Sequence, residues 1–228
     1  MEIQEIKIKL NEIQSMGFIP SMRRSDTGIG YTLETLAGVK ENNIRTPDFG
    51  KIELKSQRRG VSSKVTMLTF NKGAWNIKQR EVVQKYGYFD ENGRNSLYCF
   101  ATKKPNNQGL YTDADNHALY LRHTDGTEIA TWKMQDIVAR FLQKMPALVV
   151  VIADTQFSEE GEEFWFNEAY YLHTPNQEQF VHLLQQDAIM LDLRLHLRES
   201  GSVRNHGTAF RTDEGNLIKC FAVKEALL

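Results

Sequence analysis

The chain has 228 residues, is 41% hydrophobic and 25% charged, and carries a formal net charge of −1 at pH 7. That length can bury a sizeable core as one domain or two closely packed lobes, and the composition excludes a disordered chain. No stretch reaches the ~18 consecutive apolar residues of a membrane span, and Met1-Glu2-Ile3-Gln4-Glu5 lacks the apolar core of a signal peptide. Two cysteines, Cys99 and Cys220, without a Cys-x-x-Cys spacing exclude a disulfide framework and a zinc knuckle. They are read as core residues of a protein in a reduced, cytoplasmic setting.

Ile3, Ile6, Leu10 and Ile13 recur at helical spacing, so the chain opens with an amphipathic helix that Gly17 ends. Ser21 to Tyr31 reads as a loop with Arg23, Arg24 and two glycines. Gly28-x-Gly30 lacks both the Gly-Lys-Ser/Thr of a P-loop and the further glycine of a dinucleotide fingerprint. It fits either a close approach of backbone to a DNA phosphate or a tight turn. A short helical turn over Thr32 to Ala37 carries Glu34. A turn at Thr46-Pro47-Asp48 then leads into Lys51-Ile52-Glu53-Leu54-Lys55, whose alternation predicts a strand. The period of two puts Glu53 and Lys55 on one face and Ile52 and Leu54 on the other. Asp48 stands at the mouth of that strand, so two carboxylates and an ammonium can converge. Metal-dependent phosphodiester hydrolysis needs that set: hard oxygen ligands for a divalent ion and a cation beside the attacking water.

Val65 to Phe70 predicts a second strand, taken as the antiparallel partner of the first, and Asn71-Lys72-Gly73 a turn. A helix is predicted over 75–86, a turn at Asn92-Gly93, a strand over Leu97 to Ala101, a polar loop from Lys103 to Asp115, and a strand over 117–123. Trp132 is read as the opening of a helix whose apolar set is Met134, Ile137, Val138, Phe141, Leu142 and Met145. Leu148 to Ile152 is a continuous apolar run, hence a strand covered on both faces. Aromatic strands over 163–172, a helix over Gln177 to Gln186, and an alternating strand over Ile189 to Arg198 follow. That last strand shows Asp192, Arg194, His196 and Arg198 on one face. Charge is unevenly spread. Lys51 to Arg80 holds eight basic residues against the single acid Glu53, whereas Glu159, Glu160, Glu162, Glu163 and Glu168 stand together with no basic residue among them. A basic field around Asp48 and Glu53 is therefore expected despite the net charge, with the acidic run as a separate solvated face.

Near the C-terminus, Ser200 to Arg211 gathers Arg204, Asn205, His206 and Arg211 in a glycine-flanked stretch. Arginine can make two hydrogen bonds to a guanine edge, and asparagine and histidine can read other edges, whereas contact with phosphate alone would carry no sequence preference. No second His or Cys has zinc-ligand spacing and no Gly-x-Ser-x-Gly occurs, which disfavours His206 as a metal ligand or triad base.

Pro47-Asp48-x4-Glu53-x-Lys55 has the spacing of the PD-(D/E)xK nucleases. Its setting is Gly28-x-Gly30-x-Thr32-Leu33-Glu34, Gly38-Val39-Lys40-Glu41-Asn42 and Ser56-x-Arg58-Arg59, with Arg204-x-His206-Gly207 and Phe210-Arg211 near the end. In that order the chain resembles the MvaI/BcnI group of type II restriction endonucleases, relatives of MutH and Sau3AI. The resemblance implies an α/β (α+β) fold with a mixed central sheet flanked by helices and two lobes around a DNA cleft. It implies one endonuclease domain over 1–228, with a catalytic lobe centred on about 1–85 and a recognition lobe from the central and C-terminal segments. Glu34 matches the acidic residue that joins the active site from a helix in those families. Asp48, Glu53 and the Leu54 carbonyl would hold one or two Mg2+ ions, which Mn2+ can replace, and Lys55 would handle the attacking water. Arg58, Arg59 and Lys64 would hold the flanking DNA backbone, and Arg204, Asn205, His206 and Arg211 would meet bases. A monomer cutting duplex DNA one strand at a time at a short CCNGG-like site, beside a cognate methyltransferase, is what the resemblance predicts. A MutH-like nickase at GATC and a DNA-binding module without catalysis remain the alternatives.

Overall fold

The computed structural model describes residues 2–39, 47–61 and 64–228. In chain order the elements are α1 Ile3–Ser15, β1 Ile19–Pro20, α2 Gly28–Leu36, β2 Glu53–Arg58, β3 Val65–Thr69, α3 Gln79–Tyr86 and β4 Tyr88–Phe89. They continue with β5 Asn95–Ala101, β6 Leu110–Ala114, β7 Ala118–His123, β8 Glu128–Lys133, α4 Met134–Lys144, β9 Ala147–Ser158 and β10 Gly161–Pro175. The chain closes with α5 Gln177–Gln185, β11 Ile189–Leu197, β12 Val203–Asn205, β13 Ala209–Thr212, α6 Glu214–Lys219 and β14 Phe221–Ala226. The result is a mixed α/β fold with several sheets. Among the described residues no helix is long and apolar enough to cross a membrane.

The contacts divide the chain into two units, one made of 1–63, 142–176 and 221–228 and the other of 64–141 and 177–220. Residues 64–85 therefore group with the second unit, and 142–176 with the first. The first unit is built on a sheet of order β1-β10-β9-β2, with β14 paired to β10. Its interior strands are β10 and β9, and β9 is buried continuously from Ala147 to Ala153, as its apolar run requires. The predicted stripe of α1 is buried as Ile6, Leu10 and Ile13, and packs with Ile29 and Leu33 of α2, Val149, Val151 and Ala153 of β9, and Phe164 and Phe166 of β10. β2 lies at the edge of this sheet and pairs with β9 in parallel, Glu53 opposite Leu148 and Arg58 opposite Ala153. A parallel pair cannot be closed by a tight turn; it needs a long crossover, and this one carries the whole segment 64–141.

The second unit has a sheet of order β3-β13-β11-β5-β4, with β12 on β11, and a three-stranded sheet β6-β7-β8. Four expectations are corrected here. First, β3 is not the partner of β2 but pairs antiparallel with β13, because Met67 and Leu68 are both buried and need cover on both faces. Second, Trp132 does not open a helix. It belongs to β8, is 1% exposed, and donates its indole N–H to Phe70 O at 2.8 Å, so α4 starts at Met134. Third, α3 starts at Gln79, since Trp75 is held outside it by a bridge to Ala130. Fourth, the polar segment 103–115 is not all loop, because its last part is β6, paired with β7.

Candidate active site and nucleic-acid interface

Gly28 and Gly30 do not form a loop: both lie inside α2. A Cβ at Gly28 would stand 2.4 Å from Ser21 Oγ and 2.5 Å from Arg23 O, so the glycine lets the segment before the helix fold tightly onto it. A Cβ at Gly30 would meet Ser56 Oγ of β2 at 3.7 Å. One turn on from Gly30 stands half-buried Glu34. The helix carrying it meets the Leu54-Ser56 side of β2, while Glu53 and Lys55 point from the other side.

Asp48 reaches the strand through a tight reversal. Phe49 and Ile52 exchange backbone hydrogen bonds of 2.9 and 3.1 Å around Gly50-Lys51, and Gly50 takes the left-handed conformation at φ 65°. The predicted strand thus begins two residues late, at Glu53, because Lys51 is spent in the turn. Asp48 Oδ2 accepts the Leu54 N–H at 2.8 Å. In an extended strand the N–H and C=O of one residue point the same way. The Leu54 carbonyl therefore faces the Asp48 side of β2 rather than β9.

Glu53 is 1% exposed. Lys55 Nζ donates to its Oε1 at 2.6 Å. A second ammonium, Lys144 Nζ at the end of α4, stands 2.7 Å from Oε2 as an ion pair without hydrogen-bond geometry, so Oε2 is buried with no hydrogen-bond donor among the described residues. Burial, and then the Glu53 charge, push the Asp48 carboxyl above its ordinary value. The Leu54 N–H, Lys55 and Lys144 pull it back. An anion pair that is costly to hold, with a buried oxygen lacking a donor, fits a divalent cation. Among the described residues no group of three or more His, Cys, Asp or Glu side chains gathers as a ligand set. Two carboxylates and a carbonyl are a sparse set, which suits Mg2+ because it keeps several of its waters.

Arg58 and Arg59, expected to lie free for DNA, are occupied, and by the acidic run that looked separate. Arg58 makes a two-pronged pair with Glu162, at 2.6 and 2.8 Å, and donates to Asp26 O. Arg59 binds Asp154 and Glu168, both at 2.6 Å, and Asn167 at 2.9 Å. A bulge in β10 between Phe166 and Glu168 turns Asn167 and Glu168 together toward it. The basic field around the site is thus largely neutralised at these two positions.

In the second unit, β12 lies on β11 with Arg204 opposite His196. Arg204 and His206 are exposed, whereas Asn205 is tied inward, accepting the Gly207 N–H at 2.8 Å and donating to Asn71 at 3.3 Å. Arg211 is tied inward too, by Asp192 at 3.0 Å and Lys64 O at 2.7 Å, and Lys64 pairs with Asp213 at 3.5 Å. The predicted face of β11 acts as the support. Arg194 holds the carbonyls of His206 and Gly207, and Gly207 takes φ 104°, a conformation open to glycine. The His206 ring lies 5.4 Å from that of His196 and 6.2 Å from that of Tyr98, and the Tyr98 hydroxyl meets His196 Nδ1 at 2.6 Å. Desolvation, followed by nearby arginines, holds both histidines below their ordinary value. They are neutral rings at neutral pH. A pocket of about 660 Å3 opens beside them, lined by Arg94, Asn95, His196 and Arg198 among others.

Sequence reasoning missed Lys144 and Tyr98, which carry no motif, and valued His196 and Asp192 only as members of a face.

The family model of the MvaI/BcnI restriction endonucleases matches residues 7–221. The chain belongs to that family. It is by that membership a DNA nuclease. Two solved structures share the fold. One, titled a restriction endonuclease MvaI-cognate DNA substrate complex, is 21% identical over 100% of both chains with a TM-score of 0.84. The other, restriction endonuclease MvaI in the absence of DNA, is 22% identical over 100% of this chain and 99% of that one, with a TM-score of 0.55. Comparison with curated proteins gives no match.

Proposed function

We propose that this family member is a Mg2+-dependent type II restriction endonuclease, with Asp48 and Glu53 as metal ligands, helped by the Leu54 carbonyl, and Lys55 beside the attacking water. What supports this reading most is Glu53: a buried carboxylate whose Oε2 has no hydrogen-bond donor among the described residues, one strand position from Leu54 and two from Lys55. A divalent ion bound there would supply Lewis acidity and positive charge against the phosphate. Asp48, anchored on Leu54 N–H, and Glu53 fix its place. Lys55 holds the water for in-line attack and stabilises the hydroxide as the water passes a proton to bulk solvent. The water oxygen bonds to phosphorus, the P–O bond to the leaving nucleotide breaks, and the leaving oxygen takes a proton from solvent. The helix α2, which carries Glu34, lies on the opposite side of β2 from Glu53 and Lys55, so Glu34 takes no part in this step.

Arg204 and His206, the exposed pair in the C-terminal constellation, are the base readers in this proposal. Asn205, Arg211 and Lys64 shape and brace their loop. Arg58 and Arg59 secure β2 to β9 and β10, and reach DNA only by giving up an acid. The target is a short CCNGG-like duplex site cut one strand at a time by a monomer, in the cytoplasm alongside a cognate methyltransferase. Digestion of supercoiled plasmid and phage DNA with Mg2+ or chelator, then sequencing of the ends, tests the whole reading. Discrete Mg2+-dependent fragments sharing one end sequence are expected. Persistent open circles cut at GATC would make the chain a strand-specific nickase. Intact DNA that still shifts on a gel would make it a binding module.

A further inference from the structure

We propose that Arg80 and Arg198 are the phosphate grip of the second unit, a pair that takes the DNA backbone beside Arg204 and His206. This rests on the reading of Arg204 and His206 as the residues that meet bases. The argument begins with how the arginines are used. Arg58, Arg59, Arg94, Arg122 and Arg211 each pair with a carboxylate, and Arg194 holds the carbonyls of His206 and Gly207. Arg80, Arg198 and Arg204 are different. All three are exposed, and among the described residues their guanidinium groups make no hydrogen bond and no ion pair. The acids next to them in the chain, Glu81 and Glu199, are exposed and pair with none of the three.

The fold gathers these cations at one turn. Arg198 follows the last residue of β11 and opens the connection to β12. Gly201 N–H donates to Arg198 O at 2.8 Å, Arg198 N–H donates to Ser202 O at 2.9 Å, and Gly201 takes the left-handed conformation at φ 75°. Arg80 comes to the same turn from α3. A Cβ at Gly201 would stand 3.7 Å from Arg80 Cζ, Nη1 and Nη2 alike, so the guanidinium lies face-on to the turn and its N–H edges point sideways. Arg204 lies opposite His196 on β12, and the period of two puts Arg198 on the face that His196 shares. The charges of Arg198 and Arg204 both bear on the His196 ring.

Like charges gathered without acids destabilise the free protein through their repulsion, and a polyanion removes that cost. Guanidinium groups are charged at every working pH, planar, and fitted to two phosphate oxygens at once. A turn already fixed by its own hydrogen bonds loses little freedom on binding. A duplex whose bases meet Arg204 and His206 carries its backbone to either side of them, and contacts there set its register without sequence preference. The role expected of Arg58 and Arg59, which acids occupy, thus falls to Arg80 and Arg198.

Titration of the full chain into two fluorescent duplexes of unrelated sequence, in chelator to prevent cleavage and over a salt series, tests the proposal. Arg80→Gln and Arg198→Gln should each weaken binding about three- to tenfold at low salt, equally on both duplexes. Each should also reduce the slope of log affinity against log salt by about 0.9, the value for one phosphate contact on B-DNA. Arg80→Lys and Arg198→Lys keep the charge and should keep the slope, which packing on the turn alone would not govern. Lys7→Gln, at an exposed cation of α1, controls for net charge and should leave the slope as in the parent. A parental slope in Arg80→Gln and Arg198→Gln would overturn the proposal, as would a loss confined to one duplex. Parental binding by Arg204→Gln is a separate outcome: it would overturn the reading of Arg204, and the proposal with it.

Discussion

Asp48 carries opposing demands. Burial and the neighbouring Glu53 charge raise its carboxyl, while Leu54 N–H, Lys55 and Lys144 favour the anion. If Asp48 is the metal ligand proposed above, Asp48→Ala should lower cleavage by about 10³-fold or more, since a lost ligand is worth several kcal/mol, yet leave DNA binding equal or tighter because a negative charge proposed to face phosphate is gone. Single-turnover cleavage beside a gel-shift titration reads both, and normal cutting would remove Asp48 from the mechanism. His196 makes a separate prediction. Its pKa is held below the ordinary 6.5 by burial and by Arg94 and Arg204, and it meets the Tyr98 hydroxyl as a neutral ring. A lowered folded pKa contributes stability present above the unfolded value and lost as pH falls through the folded one. The urea midpoint should accordingly drop as pH is lowered below about 6.5, with the His196 and His206 proton resonances titrating below that value, and His196→Asn should flatten the slope.

The short helix α2 depends on a close approach. A methyl group at Gly28 would overlap Ser21 Oγ and the Arg23 carbonyl, one of them backbone, so Gly28→Ala should destabilise by about 1–3 kcal/mol although alanine is the better helix former. A urea denaturation series would show it, and a stabilised variant would contradict the packing described. β2 and β10 are joined by the Arg58-Glu162 pair, two-pronged and with both side chains 19% exposed. A double-mutant cycle with Arg58→Met and Glu162→Gln should give a coupling of about 1 kcal/mol, above the typical exposed pair because the geometry is bidentate. Arg59, 45% exposed in the same neighbourhood, should couple more weakly to Glu168.

Neither unit is one stretch of chain. The first is assembled from three segments and the second from two. β2, which carries Glu53, has β9 as its partner, reached only after the whole of 64–141. A fragment of residues 1–85 holds every motif residue of the proposed catalytic centre, but lacks the strand that pairs β2 and the ammonium of Lys144. It should show no cooperative thermal transition by circular dichroism, whereas the full chain should; cooperative folding of the fragment would contradict the dependence on β9.

The elements that sequence determined are those with strong periodicity and local cause. α1, β9, α5 and β11 were legible because a helical stripe, an apolar run or an alternation each reports its own burial. Asp48, Glu53 and Lys55 were legible because one turn and one strand bring them together within eight residues. Tertiary structure decided what alternation leaves open, namely which strand pairs with which: β3 with β13, β2 with β9. It also decided which charges meet. The acidic run of β10 neutralises Arg58 and Arg59, Asn205 and Arg211 turn inward, and Lys144 arrives at Glu53 from 91 positions away. The physical reason is range. Periodicity and turn chemistry act between neighbours in the chain, whereas a buried charge takes whichever partner the packed fold delivers.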